Sequence, residues 1–180
     1  MTEIATLHSP EAIKPTSLAG LWRRFGAFGH ELLFLIAYLF ITGLVFAAFS
    51  GETMALGRPQ IFDGPIRILY QLFLFATIGA YFIFFWINGR RTLAFKTWQL
   101  QLRQPENLSE SVPLKRAIIR YLAAWIGPAM ALVIFSVFGA KAGAWWLLAL
   151  LFNFLWAIVD RDKQFLHDRI AGTRVAHVRE

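Results

Sequence analysis

Apolar positions in this chain come as long continuous runs, separated by short polar stretches. A helix needs ~20 mainly apolar residues to cross the hydrocarbon core of a bilayer. Residues 25–49 and 66–87 have that length and few charges. A third run, 117–138, is interrupted by Gly127-Pro128, which a membrane helix tolerates as a kink because neighbouring groups can satisfy the freed carbonyl. The fourth, 142–159, is shorter and carries Asn153 as its strongly polar residue, with Gly139–Gly143 as the turn before it. The pattern predicts an all-α membrane protein with four transmembrane helices, the alternative for the last two runs being one span plus a re-entrant segment. Residues 1–21 are polar and contain Pro10 and Pro15, as expected for a flexible cytoplasmic tail ahead of one membrane domain, 22–180. They lack the apolar core and small-residue cleavage site of a secretory signal, so the first run is expected to stay in the mature chain.

Two stretches break the pattern. Residues 97–103 and 173–178 alternate apolar and polar side chains, the period of a half-exposed strand. Paired, they would form a small two-stranded element on the cytoplasmic side; an interfacial amphipathic helix or an irregular tail is the competing reading. Between them, 104–109 is a polar turn with proline and asparagine as breakers.

Composition agrees with a membrane class: 57% of the 180 residues are hydrophobic, against roughly 45–50% in soluble domains. Lys and Arg total 18 against 11 Asp and Glu, and their placement is informative. Three basic residues precede the first run (Lys14, Arg23, Arg24), seven lie between Arg90 and Arg120, and five follow Asp160, whereas Arg58, Arg67 and Lys141 fall on the other side. Basic loops resist translocation, so both termini are expected in the cytoplasm, which requires an even number of crossings. Because topology accounts for these charges, a nucleic-acid partner is not expected. The expected partners are the lipid bilayer, anionic lipid headgroups, and a second copy or another membrane protein. The absence of cysteine excludes disulfides, thiolate metal sites and cysteine nucleophiles. With no Gly-rich phosphate loop, Gly-x-Ser-x-Gly elbow or paired catalytic carboxylates, no enzyme activity, cofactor or metal is expected.

Ionisable residues at membrane depth are costly and therefore point to function. His30 and Glu31 lie inside the first run. Arg24 precedes Glu31 by two helical turns, on one face and ~10 Å away along the axis, which makes Arg24 and Glu31 the first candidate pair and His30 a secondary candidate. A solvated Glu31 in the headgroup layer is the bland alternative. Gly26 and Gly29 offer a close-approach surface for another helix. A second cluster, Asp160, Asp162, His167 and Asp168, follows the last run. Its spacing matches no zinc motif, and capping, turn formation and pairing with Arg161 or Arg169 is the expected use.

Three segments together resemble the RDD family of small bacterial membrane proteins, named for one arginine and two aspartates. Residues 22–31 are similar to its opening Arg-x-x-Ala-x-x-x-Asp pattern, with Arg24, Ala27 and, in place of aspartate, Glu31. Residues 89–102 resemble its Gly-x-Thr-Leu-Gly segment, with Ala94 in the second glycine's place; residues 164–175 resemble its His-Asp-x-x-Ala-Gly-Thr-x-Val ending. The resemblance implies a multi-span helical domain in a bacterial cytoplasmic (inner) membrane, and some members are regarded as cation/proton antiporters. Two functions follow as expectations. One is a transporter or transport accessory handling protons or small cations through Glu31, with His30 and Arg24. The other is a non-transporting assembly, scaffold or recruitment module.

Reporter fusions after Phe49, Asn88, Gly139 and Glu180 should read outside, inside, outside, inside; a non-cytoplasmic signal at Glu180 would rule out the four-span arrangement.

Overall fold

The computed structural model describes residues 15–50 and 64–178; the tail 1–14, the loop carrying Arg58, and Arg179 lie outside the described residues. In chain order the elements are β1 (Pro15–Leu18), α1 (Leu21–Ser50), α2 (Gly64–Trp86), α3 (Leu93–Thr97), β2 (Leu100–Arg103), α4 (Leu114–Ala124) and α5 (Ile126–Phe138). A 3-10 turn (Gly139–Ala142) leads into α6 (Trp145–Leu150), α7 (Phe152–Val159), α8 (Leu166–Ala171) and β3 (Arg174–Val178).

Among the described residues three segments are long and apolar enough to cross a membrane: Leu21–Phe49, Gly64–Trp86 and Leu114–Phe138. At 1.5 Å per residue they reach roughly 44, 35 and 38 Å, beyond the ~30 Å hydrocarbon core. Their outward faces are apolar, with Leu33, Phe40, Leu132 and Val137 all more than half exposed, a surface suited to hydrocarbon and unsuited to water. The fourth expected span differs. It divides at Leu151 into α6 and α7, and Trp145–Val159 reaches only roughly 22 Å.

The third span carries the expected interruption. Pro128 has no N–H to give the carbonyl four residues back, which belongs to Ala124, and α4 ends at that residue. Asn153 of α7 takes over, its Nδ2 donating to Ala124 O at 2.8 Å and to Ala123 O at 3.3 Å. The asparagine in the fourth apolar run thus fills the vacancy made by the proline in the third. Gly127 allows the approach, since a Cβ there would lie 2.6 Å from Leu150 O.

The two alternating stretches do pair, as antiparallel β2 and β3 with Leu100 opposite His177 and Arg103 opposite Arg174. The sheet has a third strand, β1, from the segment expected as tail, so that β3 is central. β2 is buried on both faces, where a half-exposed strand was expected. Leu100 and Leu102 enter the core, and the opposite face stays satisfied because Gln101 Nε2 donates to Gly89 O while Arg103 donates to Ser109 O at 2.9 Å and to Gln101 Oε1 at 2.6 Å. The main core, including Ala27, Phe82, Trp86, Phe95, Leu102 and Tyr121, lies where the sheet meets α1–α4. Strand pairing brings 15–18, 100–103 and 174–178 to one end of the bundle, so the chain that leaves on α4 and α5 returns there through α6 and α7.

Asn153→Leu is expected to lower stability by about 1 kcal/mol in a detergent melting series, the scale of a membrane hydrogen bond. In a Pro128→Ala background, where residue 128 regains its N–H, the same change should cost measurably less; equal costs in both backgrounds would contradict the substitution of side chain for backbone donor.

Candidate functional site

The third span opens with an amphipathic helix. In α4, Ala117, Arg120 and Tyr121 stand at i, i+3 and i+4 and are buried, so the apolar stripe that packs inward includes an arginine. Arg120 Nε donates to Asp168 Oδ1 at 2.7 Å, and Asp168 is fully buried. The guanidinium carbon sits 4.0 Å above the Trp86 ring, and Nη2 lies 3.4 Å from His167 Nε2. That contact makes Nε2 the acceptor and places the imidazole proton on Nδ1. Thr173 Oγ1 adds a donor to Asp168 Oδ1 at 3.3 Å. One carboxylate therefore joins α2, α4, α8 and the start of β3.

Local backbone chemistry explains how Asp168 and Thr173 meet. α8 stops at Gly172, whose left-handed conformation (φ +59°, ψ +51°) suits glycine. The chain then turns so that the Thr173 N–H donates to Asp168 O at 2.9 Å. The Ala171-Gly172-Thr173 sequence is a helix stop that folds the threonine back over the aspartate.

Burial alone would push the Asp168 carboxyl up, but the charge and hydrogen bond of Arg120, together with His167 and Arg24, reverse this and leave it below the usual carboxylate range. His167 is pushed down from 6.5 to about 4, chiefly by burial; Asp168 opposes the shift and Arg120 adds to it. The imidazole is neutral near pH 7.

Arg24 and Glu31, expected to face each other, each have a nearer partner. Arg24 is buried and its Nη1 donates to Lys163 O at 2.9 Å; Lys163 adopts a positive φ of 55°, which presents its carbonyl to α1. Glu31 Oε1 accepts from Thr92 Oγ1 at 2.5 Å. The two turns of helix between Arg24 and Glu31 exceed what a single hydrogen bond spans. Thr92 serves twice, because its hydroxyl oxygen also accepts from the Phe95 N–H at 3.1 Å and caps α3. His30 stacks on Phe34, ring centroids 5.5 Å apart, and among the described residues it makes no hydrogen bond or ion pair with Arg24 or Glu31.

The remaining acidic residues build the turn before α8. Asp160 Oδ2 accepts from the N–H groups of Asp162 (3.0 Å) and Gln164 (3.1 Å), with Arg169 at 3.6 Å from Oδ1. Asp162 pairs with Arg174 at 2.8 Å and Arg169 at 3.1 Å. Among the described residues no group of three or more acidic and histidine side chains is placed to hold a metal ion. Gly26 is also used differently from expectation. Its missing side chain makes room for the Trp98 indole, which a Cβ would meet at 2.3 Å, while Gly29 faces nothing within 4 Å. Arg120, Thr92 and Trp86 are the site residues that sequence reasoning passed over. The inward stripe of 114–124 was the available signal for Arg120.

Because His167 is held well below its unfolded value, the unfolded chain binds more protons between pH 6.5 and 4. Stability is fully present above pH 6.5 and is lost as pH falls toward 4. At 1.36 kcal/mol per unit the loss approaches about 3 kcal/mol, and a melting series across that window should show His167→Gln flattening the profile. An unchanged acid slope in that variant would refute the assignment.

No curated protein and no solved structure matches the chain. The RDD family model matches residues 18–172, a stretch that holds Arg24, Glu31, Thr92, Arg120 and Asp168. On that match, and with three helices among the described residues long and apolar enough to cross a membrane, the chain belongs to the RDD family of membrane proteins.

Proposed function

We propose that this RDD-family protein is a transporter or transport accessory that handles protons or small cations, with Glu31 as the exchanging group. The observation that carries this reading is the hydroxyl partnership of Glu31 inside α1. Glu31 is half-buried, and among the described residues it is hydrogen-bonded by Thr92 alone, with no lysine or arginine ion-paired to it. A hydroxyl can donate to a carboxylate or accept from a carboxylic acid, so Thr92 serves both protonation states. An arginine partner, as at Asp168, fixes the ionised form.

The seam between α1 and α2 extends the same chemistry. Tyr38 follows Glu31 by seven residues on the same face of α1, and its hydroxyl donates to Thr77 Oγ1 of α2 at 2.5 Å. Tyr81 stands one turn from Thr77 on α2. Hydroxyl groups of Tyr38, Thr77 and Tyr81 therefore line the seam on the inward side of the carboxylate. The sheet end is the cytoplasmic face in this reading, since the segment 90–120 and the chain after Asp160 carry most of the basic residues.

Purified protein in vesicles, given an imposed proton or cation gradient, should show flux that Glu31→Gln lowers about 100-fold or more, the scale for removing a proton-transfer group. The melting temperature should hold, because glutamine still accepts from Thr92. Undiminished flux in Glu31→Gln, or no flux under any gradient, would overturn the proposal, and the second result would favour a non-transporting assembly module.

A further inference from the structure

α1 begins beside the place where α7 ends, tied there by the bond from Arg24 to the Lys163 carbonyl. Next to that tie lies a cavity of about 320 Å³, walled by Leu21, Phe25, Phe28, Phe154, Leu155 and Ile158 among others, with almost no polar lining. Aromatic contacts set its shape: the rings of Phe28 and Phe154 are 4.1 Å apart, and those of Phe25 and Phe154 are 6.4 Å apart. Ile158 is 68% exposed and Leu155 38%, so the cavity opens toward the bilayer. Its volume is at the lower end of the range for small-molecule sites.

Charge on the turn that follows α7 selects the occupant. Two and four residues after Val159 closes α7, Arg161 and Lys163 are both exposed, and among the described residues neither side chain has a hydrogen bond or ion pair. The acidic residues of the same turn are already committed, Asp160 to the N–H groups of Asp162 and Gln164, and Asp162 to Arg169 and Arg174. The turn thus presents two uncompensated cations beside an apolar slot. On the α1 side Trp22, 86% exposed, adds an indole of the kind that favours the headgroup level.

We propose that this cavity is a binding site for an anionic phospholipid, one acyl chain lying along the Phe25, Phe28 and Phe154 wall and the phosphate meeting Arg161 and Lys163. A zwitterionic lipid fills the slot and offers a phosphate, but its own ammonium group leaves the net positive charge of the turn uncompensated. A second copy of the chain is disfavoured, since a two-fold interface over this slot would bring two such pairs of cations, four positive charges, into one contact. The site is independent of Glu31 and of any transport.

Native mass spectrometry of the full chain, titrated with dioleoyl phosphatidylglycerol or dioleoyl phosphatidylcholine, tests it. The wild type should retain one phosphatidylglycerol with a preference on the order of tenfold, as two basic groups near an anionic headgroup confer. Arg161→Gln with Lys163→Gln, both on exposed positions, should bring the preference close to parity. Ile158→Trp should displace both lipids at unchanged melting temperature. Equal retention of the two lipids by the wild type, an unaltered preference in the double variant, or a dimer that Ile158→Trp dissociates would each overturn the proposal, the last by assigning the slot to a second copy.

Discussion

The arrangement at the sheet end depends on the buried pair between Arg120 and Asp168. Taking two charges out of water costs several kcal/mol per ion, and the attraction repays this only with good geometry and with further hydrogen bonds on the remaining sites. Here the 2.7 Å contact, the Thr173 hydroxyl on the same Oδ1 and the Trp86 ring supply part of those terms, while Oδ2 is buried without a hydrogen bond. A hydrophobic replacement of similar volume can match such a pair in stability, but it would lose direction. Arg120 and Asp168 fix the azimuth of α4 against α8, and Gly172 with Thr173 converts the position of α8 into the position of β3. Because β3 is the central strand, the locations of β1 and β2, and with β1 the start of α1, follow from that one contact.

Much of the helical frame was legible as apolar run length, because burial in hydrocarbon depends on composition more than on periodicity. The strand pair was legible as well, since alternation over 97–103 and 173–178 has few other uses. Two kinds of feature were not. Residues 15–18 read as tail because four residues with a proline carry no period, and β1 exists only because β3 offers it a free edge. The division of the fourth run at Leu151 was hidden because no glycine or proline marks it. Asn153 signalled a polar obligation without naming its partner, Ala124 O, which Pro128 had freed in a different helix.

Within the site the sequence placed Arg24 and Glu31 on one face correctly and then paired them by charge. The competing factor was reach. Thr92 and Lys163, distant in sequence, arrive closer to Glu31 and Arg24 than these two residues can come to each other. Such long-range partners leave no local spacing, so only the folded chain exposes them. The acidic turn at 160–162 behaved as composition suggested, because capping and short-range pairing are local and their spacing is visible.

Several hydroxyl groups of the spans are returned to a nearby carbonyl: Thr42 to Tyr38 O, Thr77 to Phe73 O, Ser136 to Leu132 O and Tyr121 to Phe75 O. Those bonds use donors with no alternative protonation state near neutrality, and they make the groups inert. Glu31 is the sole carboxylate in the three span segments and is the exception to that economy. A carboxylate held for stability alone is best served by a guanidinium, and the buried Arg120 guanidinium of this fold is bonded to Asp168. Arg120 is thus committed to the aspartate that organises the sheet end, and the carboxylate inside the span is left with a threonine. That division suits a fixed charge at Asp168 and an exchangeable proton at Glu31.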